Sequence, residues 1–433
     1  MNHPVDRPAL DRLLRSCVEC GLCLPHCATY LETGNEAWSP RGRLLLLREV
    51  LDGNVAAGEA AVRETFDHCL GCLACTGTCP SGVSADLLAH ARTLAADRAR
   101  PSGRRAVVLL DRRPVLRLLR VAGGLARTVL RAVLGAGWRR RLGDGAAPLA
   151  RLARLLGTLP AGPGSDRSLR RRLDRLAAGR PEPTVAPHSE GAAATGPRVA
   201  IFRGCADESL MPATARRLRE LLDGLGCQVT VPAGQDCCGA LAAHVEKPRR
   251  VQQLQTRNRL AFASDLARCD HVVVAASGCG QELASGSGDL AGRVIDAVTL
   301  LDRLQPDGFG AVPLRVAVHD PCHARHGLGV IDAPRRLLRR IPGLVVLDPA
   351  EAEVCCGSAG VYGIRHPELS AAMGRRKAQL LAATGCDLVV TTNPGCLGQI
   401  ADGLALTHPD VPIIPLSDLV WYAWRKGRRG GRS

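Results

Sequence analysis

Eight cysteines fall in two runs, Cys17-Val-Glu-Cys20-Gly-Leu-Cys23-Leu-Pro-His-Cys27 and Cys69-Leu-Gly-Cys72-Leu-Ala-Cys75-Thr-Gly-Thr-Cys79-Pro80, and each reads C-x2-C-x2-C-x3-C. That spacing suits two [4Fe–4S] clusters, each held by three thiolates of one run and by the fourth cysteine of the other. The first cluster is therefore expected on Cys17, Cys20, Cys23 and Cys79, and the second on Cys69, Cys72, Cys75 and Cys27. Three cysteines a helical turn apart would wrap one face of each cluster. Zinc sites more often use separated C-x2-C pairs, and a disulfide framework belongs in an oxidising compartment, so both fit these runs poorly. Ala28 follows Cys27 where Pro80 follows Cys79, a small departure in the first run.

A second group of cysteines lies in two tandem copies. Arg198-Val-Ala-Ile-Phe-Arg-Gly-Cys205 matches Arg315-Val-Ala-Val-His-Asp-Pro-Cys322, Cys237-Cys238-Gly239 matches Cys355-Cys356-Gly357, and the strand-like run ending at Cys279 matches the one ending at Cys396. The matched positions are 117 or 118 residues apart, so one domain occurs twice. Neighbouring cysteines placed in a loop can offer two thiolates to one metal centre, with the following glycine allowing a tight backbone turn. Cys205, Cys237, Cys238 and Cys279 are expected to converge in the first copy, and Cys322, Cys355, Cys356 and Cys396 in the second. Buried structural cysteine is the simpler reading for Cys227, Cys269 and Cys386. His319, His323 and His326 flank Cys322. His319 and His323 are candidates for tuning a cluster potential or relaying protons, whereas His326 reads as a surface or capping residue.

The elements that must position these groups follow from pattern. Asp11 to Ser16 reads as a short helix leading into the first run, Ser39 caps a helix opening at Pro40 and stopping at Gly53, and a helix over Ala60 to Asp67 delivers Cys69. Residues 1–97 therefore form an all-helical two-cluster domain. In the first copy strands are expected at Val199 to Phe202, Gln228 to Val231 and His271 to Ala276, alternating with helices at Ala213 to Leu225 and Pro248 to Ala267. Strict alternation implies an α/β fold with a parallel sheet, and the cysteines fall at the carboxyl ends of strands, where such sheets place their ligands. The copies are expected at 198–310 and 311–433.

Between them and the helical domain lies a basic segment, 98–197. Arg98 to Pro183 holds 21 Arg, no Lys and 5 acids, which equals the whole net charge of +16. A wheel over residues 113–133 groups Arg113, Arg117, Arg120, Arg127 and Arg131 opposite Val115, Leu118, Leu119, Leu125, Val129 and Val133. Such a helix either meets an anionic membrane or acidic partner, or packs its apolar face at home and solvates its arginines. Pro181 to Pro197 reads as a linker. The charge is thus confined to one segment, and aromatics make up only 3 % of the chain, which argues against a nucleic-acid partner. The 19 cysteines are odd in number and the first residues lack a signal-peptide pattern, so a cytoplasmic protein is expected, in contact at most with the inner face of the membrane.

Both cysteine runs followed by Ser39-Pro-Arg-Gly-Arg43, then Cys237-Cys-Gly-Ala-Leu, Ala276-Ser-Gly-Cys-Gly, His319-Asp-Pro-Cys, Cys355-Cys-Gly-Ser-Ala-Gly and Asn393-Pro-Gly-Cys, resemble the iron–sulfur subunits of glycolate dehydrogenases (glycolate oxidases). The likeness leaves out the basic middle. It implies a ferredoxin-type dicluster domain followed by two cysteine-rich CCG domains. It also implies an electron-transfer subunit, not catalytic alone, that serves a separate FAD-containing dehydrogenase acting on the CH–OH group of a 2-hydroxy acid. Electrons would leave to a quinone or another acceptor. In keeping with that division, no G-x-G-x-x-G follows a strand and no Walker loop is found. The CCG domain is similar also to heterodisulfide reductase and to the iron–sulfur subunits of lactate and anaerobic glycerol-3-phosphate dehydrogenases. That wider superfamily ends each copy in C-x-x-C, whereas Ala276 and Asn393 stand at the first cysteine position here. The missing thiolates count against a double cluster and a disulfide-cleaving reaction, and the four that remain suffice for one further iron–sulfur cluster per copy.

Overall fold

The computed structural model describes residues 11–12, 14–83, 164–183, 196–245, 247–286 and 288–430, with positions 114, 115, 117, 118 and 121 between them. The expected basic helix over 113–133 and most of the linker lie outside the described residues. Of the described positions in that segment, Arg117 donates to Glu208 of the first copy at 3.2 Å.

The N-terminal part is helical. Ser39 caps the helix Pro40–Asp52 by accepting from the Gly42 amide at 2.9 Å, and Gly53 ends it at φ 83°. The left-handed stop suits glycine, which has no Cβ to clash. The helix Ala60–Asp67 follows. Leu14, Leu44, Leu47, Val62, Phe66 and Val83 make a small core against which Cys17, Cys69, Cys75 and Cys79 pack, so the apolar faces of these helices are what hold the two cysteine runs together.

Each tandem copy carries a four-stranded parallel sheet. The first comprises β1 (Arg198–Phe202), β2 (Gln228–Thr230), β3 (His271–Val274) and β4 (Val294–Asp296) in the order β2-β1-β3-β4. The second comprises β5 (Arg315–Val318), β6 (Val345–Leu347), β7 (Leu388–Thr391) and β8 (Ile413–Pro415) in the order β6-β5-β7-β8. Val199 pairs with His271 and Val316 with Leu388, so the register repeats with the sequence. Their central strands are apolar on both faces because helices cover both. β4 and β8, each three residues long, were not expected, since so short a run carries no readable period.

The last helix of each copy crosses to the other. Ala297–Leu304, after β4, packs on Ala333–Arg339 of the second copy, and Leu416–Gly430, after β8, packs on Pro212–Gly224 of the first. Arg336 donates to Asp302 at 2.6 Å in one crossing, and buried Arg217 donates to buried Asp418 at 3.0 Å in the other. One core consequently joins Val199, Ile201 and Leu300 to Val316, Leu419 and Trp421. The molecule is a helical domain carrying both cysteine runs, followed by two α/β lobes with parallel sheets.

Candidate metal centres

Cys17 to Cys23 and Cys69 to Cys72 lie in loop and turn, and only Cys75 sits on a helix, the short Ala74–Thr78, which corrects the expectation of three cysteines wound one helical turn apart. Glu19 and Gly21 flank Cys20 at φ 56° and 79°, and Gly71 and Leu73 flank Cys72 at φ 63° and 66°. Both runs thus place a left-handed residue on each side of the middle cysteine, although glycine takes opposite positions in the two. Glu19 and Leu73 hold a conformation that disfavours a side chain; the surrounding loop imposes it.

Cys17, Cys20, Cys23 and Cys79 line one pocket together with Cys75 of the second run, Pro40 and Leu44. Burial pushes the Cys23 thiol up, the largest influence on it. In the second run burial pushes Cys75 up to about 12, with Cys69, Cys27 and Cys23 adding to it, and raises Cys72 well above its ordinary value. Cys27 acts on both of these thiols of the second run as well as on Cys23 of its own. Cys72 and Cys75, so desolvated, are poor thiolates by themselves; a bound cation would supply the compensation that a metal site requires.

Arg43, 1 % exposed, supplies part of that charge balance. Its Nε donates to the Thr65 carbonyl at 3.0 Å, its Nη2 to Thr29 Oγ1 at 3.3 Å, and its Nη1 lies 3.9 Å from Cys27 Sγ. Position 43 lies in the Ser39-Pro-Arg-Gly-Arg43 motif, but only the fold shows that this arginine turns inward.

In the first lobe Cys205 and Cys237 stand 3.8 Å apart, Sγ to Sγ. Gly239 has φ 102°, and Cys279 lies in the first turn of the helix Ser277–Ala284. Hydrogen bonds from Cys205 and Cys238 favour Cys237 as the thiolate, and bonding to it pushes both of those thiols up. The second lobe repeats the arrangement. Cys322 and Cys355 are 3.9 Å apart, Gly357 has φ 83°, and Cys396 opens the helix Pro394–Thr407. His319, Cys356 and Cys396 bring their ligand atoms within 4.8 Å of one another. Cys227, Cys269 and Cys386 are buried, and Cys386 donates to the Leu381 carbonyl at 3.5 Å.

The centres adjoin. Cys72 packs with Cys322 against the cluster that contains Cys355. His323 Nε2 lies 3.1 Å from the Gly71 carbonyl, while its ring stacks on His244 of the first lobe at 5.9 Å between centroids. A Cβ at Gly278, next to Cys279, would stand 3.8 Å from His323 Nδ1. His326, read as a surface or capping residue, lies partly buried on the short π-helical turn His323–Gly327 with Nε2 2.8 Å from the Glu353 carbonyl.

Among the described residues no helix is long and apolar enough to cross a membrane. The family model of a 4Fe-4S dicluster domain matches residues 13–83, and that of a cysteine-rich domain matches 199–284 and again 316–401. The chain is 32 % identical over 418 residues to the probable glycolate oxidase iron-sulfur subunit of Bacillus subtilis, covering 90 % of this chain and 89 % of that one. It is 29 % identical over 407 residues to the glycolate oxidase iron-sulfur subunit of Escherichia coli, covering 90 % of each. It is 26 % identical to lactate utilization protein A of Oceanobacillus iheyensis, over 52 % of this chain and 96 % of that one. With that identity running the length of both chains and with cysteine sets that adjoin in the fold, this chain belongs to the family of glycolate oxidase iron–sulfur subunits and is an iron–sulfur subunit of an oxidoreductase.

Proposed function

We propose that this chain carries electrons for a flavin-dependent 2-hydroxy-acid dehydrogenase, with glycolate the foremost substrate, taking them from a separate FAD-containing subunit and delivering them to quinone or another acceptor. Bound [4Fe–4S] clusters supply one-electron donor and acceptor sites. Cys17, Cys20, Cys23 and Cys79 would hold one, and Cys69, Cys72, Cys75 and Cys27 the other. Cys205, Cys237, Cys238 and Cys279, and Cys322, Cys355, Cys356 and Cys396, would hold further iron–sulfur centres in the lobes. Arg43 offsets negative charge beside Cys27, and His323 fixes the second run against both lobes. Residues 1–97, 98–197, 198–310 and 311–433 would divide this work, the basic segment providing any contact with the inner face of the membrane from a cytoplasmic position.

The observation that carries the reading is the packing of Cys72 beside Cys322 and Cys355, since it leaves no intervening domain between the dicluster part and the second lobe. The printed names of the full-length relatives support glycolate, and that of the half-length relative keeps lactate as the next substrate to test. The test is affinity purification of the tagged chain from its host under anaerobic conditions. A flavoprotein should accompany it, and glycolate added to the complex should bleach the iron–sulfur absorbance. Purification without any flavoprotein, or bleaching by no 2-hydroxy acid, would sink the proposal.

A further inference from the structure

The two lobes repeat in sequence and in strand register, yet their sites differ at one position beside the cysteines. β1 ends in Phe202, which packs in the apolar cluster that holds Cys205, Cys237 and Cys238. At the matched position, 117 residues on, β5 is followed by His319. His319 is 2 % exposed, and neither Nδ1 nor Nε2 has a hydrogen-bond partner among the described residues. A buried polar group without a partner forfeits the hydration it had in water, so a buried ring with both nitrogens orphaned calls for a partner of another kind. The ring faces Cys356 and Cys396, with the three ligand atoms within 4.8 Å of one another.

We propose that His319 is itself a ligand of the second lobe's iron centre, so that this site is a mixed nitrogen–sulfur site while the first lobe's is all thiolate. This rests on the reading that the lobes bind iron. Phenylalanine at the matched position offers no donor atom, so the difference is built into the tandem copies. Both lobes keep four cysteines, so the imidazole is a neutral donor added to the thiolates, whereas a thiolate in its place would add negative charge and lower the reduction potential. The second lobe also meets the second cysteine run, through the contact of His323 with Gly71.

The full-length chain, grown with 15N-histidine and partly reduced, is examined by pulsed EPR alongside H319F, which copies the first lobe, and H319C, which returns a donor as thiolate. The expected result is a strong 15N coupling on one centre in the wild type, absent in both variants. In H319C the same centre titrates at a lower midpoint with its iron retained, and the dicluster signals stay unchanged. A wild-type second-lobe signal, identified by its loss in C356S/C396S, that shows no coordinated 15N overturns the inference and leaves the electron-transfer proposal standing. Should C356S/C396S lose neither iron nor signal, the lobe binds no iron there and the inference falls with that reading, while reduction of the dicluster signals by the flavoprotein still tests the function. The wild-type spectrum decides even where H319F fails to fold.

Discussion

His323 of the second lobe places Nε2 3.1 Å from the carbonyl oxygen of Gly71, the residue between Cys69 and Cys72, while its ring lies nearly parallel to that of His244 in the first lobe. One side chain therefore touches all three cysteine-bearing parts of the molecule. His323→Phe keeps the stack and removes the polar contact, whereas His323→Ala removes both. A single hydrogen bond contributes about 1 kcal/mol, so amides in 69–79 should exchange hydrogen roughly fivefold faster in H323F and faster still in H323A. Hydrogen exchange read by mass spectrometry checks this; unchanged exchange in both variants would show that the second run is held by other contacts.

Arg43 is a buried cation whose neighbours are a carbonyl, a hydroxyl and Cys27 Sγ. Among the contacts described it has no carboxylate, so its charge acts on the thiolate set. Arg43→Met should lower the midpoint potential of the centre that includes Cys27, because a reduced, more negative cluster loses its nearby positive charge. Arg43→Lys keeps the charge and should shift it less. An EPR-monitored redox titration reads both, and a midpoint that does not move in R43M would assign Arg43 to bracing the Thr65 and Thr29 segments alone.

How far the sequence announced this arrangement depends on the range of each contact. The helix Ala60–Asp67 and the cap at Ser39 were legible because period and capping chemistry are local. The approach of Cys205 to Cys237 and of Cys322 to Cys355 was legible from the tandem match. The left-handed residues around Cys20 and Cys72 were not, because Glu19 and Leu73 are residue types that give no sign of positive φ. Nor were the inward turn of Arg43, the Gly71 contact of His323 or the crossing of each lobe's last helix. These join residues tens to hundreds apart, and burial of a charged or titratable side chain leaves no mark on periodicity.

The crossing helices make the two lobes one unit, and Arg217 with Asp418 lies at that joint. Both are fully buried, with Thr214 Oγ1 also donating to Asp418 at 3.0 Å and Arg217 Nε donating to Asp166 at 2.9 Å. Breaking a buried pair typically costs about 3–5 kcal/mol, and because Arg217 keeps Asp166 when Asp418 is removed, the lower end of that range is expected. Asp418→Ala should therefore lower the unfolding free energy read from urea titration by that amount, as a single transition for both sheets. Two separate transitions in the wild type, with only one displaced in the variant, would show that the lobes unfold independently.

Asp296, at the end of β4, caps the following helix through Oδ1, which accepts from the Val298 amide at 2.8 Å and the Thr299 amide at 3.4 Å, while its Oδ2 is buried without a partner. Burial pushes its carboxyl up to about 6, the two amides pulling the other way. In the unfolded chain it titrates near 4. Between about pH 4 and 6 the folded protein keeps a proton that the unfolded chain has released, so this group's contribution to stability falls as pH rises through that window and is level above it. Asp296→Asn keeps the accepting oxygen and does not titrate. Its stability relative to the wild type should therefore rise by the order of 2 kcal/mol between pH 4 and 7, the effects of all other groups cancelling in the difference. Urea midpoints of the two proteins that run parallel across this range would mean that Asp296 folds already ionised, its charge carried by the helix N-terminus.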